Sequence, residues 1–300
     1  MKKVVSVSLG SSQRNHAVAA EILGEKFTIE RIGTDGSKKK AIELIRSLDG
    51  KVDALGIGGT DLYIYAGKRR YMFRESKEIA CAAKITPVVD GSGLKNTLER
   101  RVVEYIQREQ IVNLPGKKVL MVCAVDRFGM AEALTAAGCE MTYGDLMFAL
   151  GLPFPIRNLK TLERLARVLA PVLTQLPIHM LYPTGTKQEQ IHPKHAQYYH
   201  NADIIAGDFH FIKKYMPEDL TGKIILTNTV TAADINMLKG RGIDKLITTT
   251  PEFTGRSFGT NVIEGIMIAL AQKSPDQMRA EDYHRLLDQI GFVPRIVLNG

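Results

Sequence analysis

The stretch KKVLMVCAVDRFGMAEALTAAGCEMTYGD, residues 117–145, decides how this chain is read. It opens on a continuous apolar run, turns at AVDRFGM, and continues with apolar residues at three- and four-residue spacing. A second apolar run then ends on Asp145. Those periods predict a buried strand, a tight turn, a helix and a second strand. Strand, crossover helix and strand in this order belong to a parallel sheet with helices on its faces. In a dinucleotide site such a turn carries G-x-G-x-x-G, which lets a pyrophosphate approach the backbone and the helix N-terminus. Here Gly129 alone remains, behind Asp126 and Arg127. Asp145 stands about 20 residues on, where a ribose hydroxyl would be bound. Two readings stay open: a cofactor site formed by Asp126, Arg127, Gly129 and Asp145, or a helix cap and a surface acid.

The same alternation extends toward the C-terminus. NLKTLERLARVLAPVLTQL reads as a long helix with an internal proline, and IHMLY, ADIIAG, KIILTNT and DKLITTT as strands. FIKKYM and TAADINMLKGRG lie between them, and VIEGIMIALAQ is a closing helix. About six strands with intervening helices predict a doubly wound, Rossmann-like sheet. Toward the N-terminus, VVSVSL is a strand, HAVAAEILGEKF a helix, TIERIGT a strand, AIELIRSL a helix and DALGIGG a strand. YIYAG and RRYMF form a hairpin, ESKEIACAAKI a helix, TPVVDG a strand, and LKNTLERRVVEYIQRE a long helix. VNLPGKK, with its proline, glycine and paired lysines, reads as a junction. The expectation is an α/β chain in two units. Residues 1–111 form an N-terminal α/β substrate unit with a mainly parallel sheet, and residues 112–300 a doubly wound, dinucleotide-binding one.

Composition narrows the function classes. With 45% hydrophobic and 24% charged residues the chain has the balance of a soluble globular protein. It lacks an apolar run of membrane-spanning length. MKKVVSVSLG reads as a first buried strand rather than a leader. Of the three cysteines, Cys123 and Cys139 fall in apolar runs and read as buried free thiols, consistent with a reducing cytoplasm. The net charge of +8 is scattered, at Lys38–Lys40, Arg69-Arg70, Arg100-Arg101 and Lys213-Lys214, without a basic stripe interleaved with aromatics. That form argues against nucleic acid and for a small anionic molecule. A homodimer is compatible with it. His192 and His195 in HPKH are three apart, but no H-E-x-x-H pattern occurs, and no metal site is expected.

The richest loops follow the N-terminal strands. GIGGTD (56–61) and DGSGLKN (90–96) lie where open α/β sheets bind ligands, outside the carboxyl ends of their strands. Lys95 supplies a cation, Asp61 and Asp90 serve as a general base or orient a hydroxyl, and Asn96 adds a polar contact. LYPTGTKQ places Thr184, Gly185, Thr186 and Lys187 after a strand, the first two as cofactor-binding candidates, and TPEFTGRSFGTN places Arg256, Ser257, Thr260 and Asn261 before the last helix. N-capping is the competing explanation for such residues.

The phrases VVDGSGLKNTLERR, AVDRFGMAEAL, YGDLMFALGLP and LYPTGTKQ resemble bacterial proteins catalogued as quinate 5-dehydrogenases. The order of units is similar to that of the shikimate/quinate dehydrogenase group. The resemblance implies NAD- or NADP-dependent oxidation of a cyclitol carboxylate such as quinate or shikimate. It implies a catalytic lysine, for which Lys68 and Lys95 both stand, with Asp90 as acid partner. It also implies that serines near the start, Ser11 and Ser12, hold the substrate carboxylate. The chain departs from that group in carrying AVDRFGM where the group has a glycine-rich fingerprint. A non-redox ligand-binding or regulatory protein is therefore the second expectation, and a protein that binds another nucleotide-like group, such as a methyl donor, the third.

Overall fold

The computed structural model describes residues 1–67, 69–181, 190–250, 252–253 and 256–299. Two main sheets divide the strands. The first takes β1 (Lys2–Ser8), β2 (His16–Ile22), β3 (Glu25–Gly33), β4 (Ala54–Gly58) and β7 (Val88–Val89), in the order β2-β3-β1-β4-β7. All its pairings are parallel except β2 with β3. Between β4 and β7 lie the hairpin β5 (Tyr63–Ala66) and β6 (Arg69–Met72) and the helix α2 (Arg74–Ala80). The helix α1 (Lys38–Leu48) connects β3 to β4.

The second sheet takes β8 (Lys118–Met121), β9 (Glu140–Tyr143), β10 (Ile204–Ala206), β11 (Ile224–Thr227), β12 (Lys245–Thr248) and β15 (Arg295–Leu298). Its order is β15-β12-β11-β10-β8-β9, parallel throughout except for β15. This is a doubly wound α/β sheet whose strand order reverses between β8 and β10, the place where such sheets open a crevice for ligands. A further short pair, β13 (Glu252–Phe253) and β14 (Arg256–Ser257), precedes the helix α10 (Thr260–Ala271).

Side chains alternate across the first sheet. Val5, Val7, Leu55 and Ile57 face α1 and α2 with Ile45 and Ile79. On the other face Val4, Phe27, Ile29 and Ala54 join the core beneath α10. Gly265 of α10 sits so close that a Cβ would lie 2.9 Å from Val4 Cγ1. The core therefore runs without a break from the first sheet through α10 and α3 (Ser92–Arg108) to Val119, Met121 and Leu226 of the second. Along this same face the residues change from apolar to polar: His16, Arg31, Ser6 and Gly56 are in register across four strands.

Three readings of the sequence are corrected. HAVAAEILGEKF is a hairpin of β2 and β3 rather than a helix, because Leu23 and Gly24 turn at φ +52° and +77°, as a two-residue hairpin turn requires. The run IHMLY is helical over Ile178–Leu181 (α6), and the sixth strand of the second sheet is the antiparallel β15. Cys139 is half-buried rather than buried; Cys123 is buried and Cys81 exposed, all three free. The long helix with its internal proline is α5 (Leu159–Leu173, Pro171). Among the described residues no helix is long and apolar enough to cross a membrane.

Candidate functional site

The carboxyl ends of both sheets meet at a cleft of about 700 Å³, within the usual range for small-molecule sites. The loop after β4 brings Asp61, the start of α3 brings Lys95, and the turn after β8 brings Asp126 and Arg127. The loop after β10 brings Asp208 and His210, and the turn before β2 brings Arg14.

On the cleft floor Lys95 Nζ lies 2.9 Å from Asp61 Oδ1 and 2.9 Å from Asp126 Oδ1. Burial works against the Lys95 ammonium, but Asp126 and Asp61 overcome it and hold its pKa above the ordinary lysine range. Asp61 is pushed up to about 7, first by burial and then by the negative charge of Asp126. Asp126 stays below the ordinary carboxylate range: burial opposes this, but Lys95 and Arg127 outweigh it. Two acids on one lysine thus differ in proton affinity, the arrangement in which one holds a proton while the other stays charged.

Beside them, Arg127 spans the crevice between β8 and β10. It donates to Glu99 Oε1 at 2.5 Å and to Asp208 Oδ2 at 2.8 Å, and its Nε lies 3.5 Å from Asp126 Oδ2. Asp208 also accepts from Asn228 Nδ2 at 2.7 Å and caps α8 (Phe209–Tyr215) through the His210 N–H. The His210 ring lies with Nδ1 3.2 Å from Asp208 Oδ1 and Nε2 3.3 Å from Arg14 Nη1. A guanidinium only donates, so Nε2 accepts and Nδ1 carries the proton toward Asp208.

The structure brings together Lys95, Asp61, Asp90, Asp126 and Arg127 at the cleft. Asp90, however, is spent as a clasp. Its Oδ2 accepts from the Leu62 and Tyr63 N–H groups at 2.5 and 3.2 Å, and its Oδ1 from the N–H and hydroxyl of Ser92 at 3.0 and 2.7 Å. Gly91, at φ +96°, allows the close approach of α10: a Cβ there would lie 2.8 Å from Asn261 N. Ser11 and Ser12 are turn residues: Ser11 Oγ accepts from Gln13 N at 3.2 Å, and Ser12 N donates to Asp35 Oδ1 at 2.7 Å. Asn96 faces α4 (Phe128–Ala136) rather than the cleft, and Gly129 serves that helix contact, a Cβ there lying 2.9 Å from Asn96 O. Lys68, Thr184, Gly185, Thr186 and Lys187 lie outside the described residues. Arg14, Arg31, Asp208 and His210 are cleft residues that the sequence reading did not select. The one signal for Asp208 and His210 was their place directly after the apolar run ADIIAG.

Asp145 decides whether the turn fits a dinucleotide. Its carboxylate is buried and accepts from Ala124 N at 3.0 Å and Val125 N at 2.9 Å. These are donors that a pyrophosphate at this turn would need. Burial raises the Asp145 pKa to about 6, against the pull of those same N–H groups. Beyond it the space is apolar and about 100 Å³, lined by Leu146, Leu162, Leu165 and Leu169 among others. With Arg127 committed to internal acids as well, the residues present do not fit a nicotinamide dinucleotide here. Asp145→Ala is expected to destabilise the protein by about 1–3 kcal/mol in urea unfolding, because two N–H groups lose their acceptor. Unchanged stability would mean that water takes the carboxylate's place on the turn.

Fold and site together define a two-sheet α/β protein with a charged cleft at the carboxyl ends of both sheets. Residues 93–298 match the family profile of a domain of unknown function (DUF8754), and the chain belongs to that family. Residues 3–90 match a second domain of unknown function (DUF8753). No curated protein matches the sequence. Similar solved structures include a hetero-hexameric glutamate dehydrogenase from Thermus thermophilus in its Leu-bound form, at TM-score 0.42 and 12% identity over 97% of this chain and 74% of that one. An NAD-dependent malic enzyme from Thermotoga maritima reaches 0.37 and 12% over 96% and 84%. A galactofuranose-binding protein reaches 0.36 and 12% over 97% and 99%. Likenesses this distant assign no activity.

Proposed function

We propose that this chain binds a small, hydroxyl-bearing anion in its cleft, without a nicotinamide dinucleotide on the turn after β8. The observation that supports this best is the Asp145 carboxylate on the Ala124 and Val125 N–H groups. A second anion would meet donors already satisfied and a wall that carries Asp126. The rest of the cleft suits a polar ligand, with Ser6, Ser8, Asn228 and Asn261 along its sides. In this reading residues 1–111 and residues 112–300 both line the cleft and share the ligand contacts.

One observation favours the companion reading, oxidation of a carboxylate such as quinate or shikimate with NAD or NADP. Lys95 and Asp61, 2.9 Å apart, form the pair that removal of a hydroxyl proton calls for. Calorimetric titration with NAD(H), NADP(H) and quinate separates the two. The expected result is saturable binding of the hydroxy acid and none of either dinucleotide at millimolar concentration. A saturable isotherm with a dinucleotide would overturn the first reading in favour of the second.

A further inference from the structure

The positive charges of the cleft are not all neutralised in the same way. Lys95 and Arg127 are each held by two or more carboxylates. Arg14 and Arg31 are not: among the described residues, their hydrogen bonds run to neutral groups. Arg14 Nη1 meets His210 Nε2 at 3.3 Å; Arg31 donates to Ser11 O at 3.1 Å and to Ser8 Oγ at 3.1 Å. Both guanidiniums line the cleft. Burial, and then the like charge of Arg14, lower the Arg31 pKa to about 10, with Asp35 pulling the other way. Two cations held together with so little compensation are an arrangement that a bound anion relieves.

His16 adds a second observation. It pairs with Arg31 across β2 and β3, so both side chains stand on the cleft face of the sheet. Its Nδ1 lies 3.0 Å from Arg14 O, a carbonyl that only accepts, so Nδ1 carries a proton. Its Nε2 is buried, has no hydrogen-bond partner among the described residues, and belongs to a ring packed 5.2 Å from Phe258. Through Nδ1 the ring fastens the Arg14 backbone beside Arg31 on the cleft wall.

We propose that Arg14 and Arg31 form the acid-recognition end of the cleft, clamping the oxyanion of the ligand, a carboxylate or a phosphate, with His16 holding the Arg14 backbone in place. The ligand then lies between this clamp and the Lys95–Asp61 pair. The inference rests on the proposed anion-binding role of the cleft and names the residues that select the anion. Arginine suits this task because its planar fork matches two oxygens at once.

The test is calorimetric titration of the full chain with quinate and, separately, with inorganic phosphate, on the parent protein and on Arg14→Gln, Arg31→Gln, Arg31→Lys and Lys51→Gln. Loss of a charge-assisted bond should weaken binding about tenfold or more in each glutamine variant. Arg31→Lys should lie between parent and Arg31→Gln, and Lys51→Gln, an exposed control, should match the parent. Circular dichroism confirms that the variants fold. Arginine-dependent binding of quinate identifies the carboxylate, and that of phosphate alone the phosphate; the second result keeps the clamp while removing the hydroxy-acid reading. Quinate binding that is indifferent to both arginines overturns the clamp and leaves that reading standing. Binding of neither anion overturns the clamp.

Discussion

Replacing Lys95 with alanine is expected to destabilise the protein by about 3–5 kcal/mol at pH 8, the usual cost of removing one partner from a buried ion pair. The ammonium is 2.9 Å from both Asp61 and Asp126, whose side chains are 14% and 8% exposed, and without it the two carboxylates face each other. The sign of the pH dependence follows from the acids. A carboxyl whose pKa is higher in the folded than in the unfolded chain binds more protons when folded, so stability rises as pH falls through the folded value. Asp61 already sits at about 7 with Lys95 present, and the variant raises it further. Lys95 itself, held above its ordinary 10.5, favours the fold at every pH below that value. The deficit of Lys95→Ala should therefore be largest at pH 8 and smaller at pH 5.5, as measured by urea unfolding at both. A deficit that does not change with pH would mean that the acids are solvated in the variant and that the floor of the cleft is open to water.

Much of this floor was legible in the sequence. GIGGTD and DGSGLKN each follow a strand, and parallel strands deliver the loops at their carboxyl ends to one edge, so Asp61, Asp90 and Lys95 had to converge there. The roles of individual acids were not legible. Asp90 and Asp145 both end strands, but their carboxylates point back onto backbone N–H groups, and no spacing rule separates an acid that faces a ligand from one that fastens its own loop. Arg14 and Arg31 were hidden for a different reason. HAVAAEI combines alanines and a glutamate, good helix formers, with an alternation of half-buried and exposed positions that only pairing with β3 reveals. Once read as a helix, the segment cannot align His16 with Arg31. The antiparallel β15 was missed because RIVL is too short to show a period.

Arg127 provides the second large effect, and a double-variant cycle separates its structural role from a ligand-binding one. Its side chain is 3% exposed and that of Glu99, its partner, 1%. Burial raises the Glu99 pKa against the pull of Arg127, and Glu99 Oε2 has no hydrogen-bond partner among the described residues. Arg127→Met alone should cost about 3–5 kcal/mol, since the buried Glu99 carboxylate loses its cation. Adding Glu99→Leu removes the stranded carboxylate, and a buried ion pair replaced by apolar side chains of similar size is often neutral. The double variant should then recover most of the loss, with an interaction energy of about 2–3 kcal/mol in the cycle. Asp208 survives the exchange because it keeps Asn228 Nδ2 and the His210 N–H. Strictly additive losses in urea unfolding would show that Arg127 answers chiefly to Asp208 and Asp126, across the crevice, rather than to α3. If the double variant also binds the anion as tightly as the parent, Arg127 ties the two strand ends together and the ligand's charge is met elsewhere in the cleft, at Arg14 and Arg31.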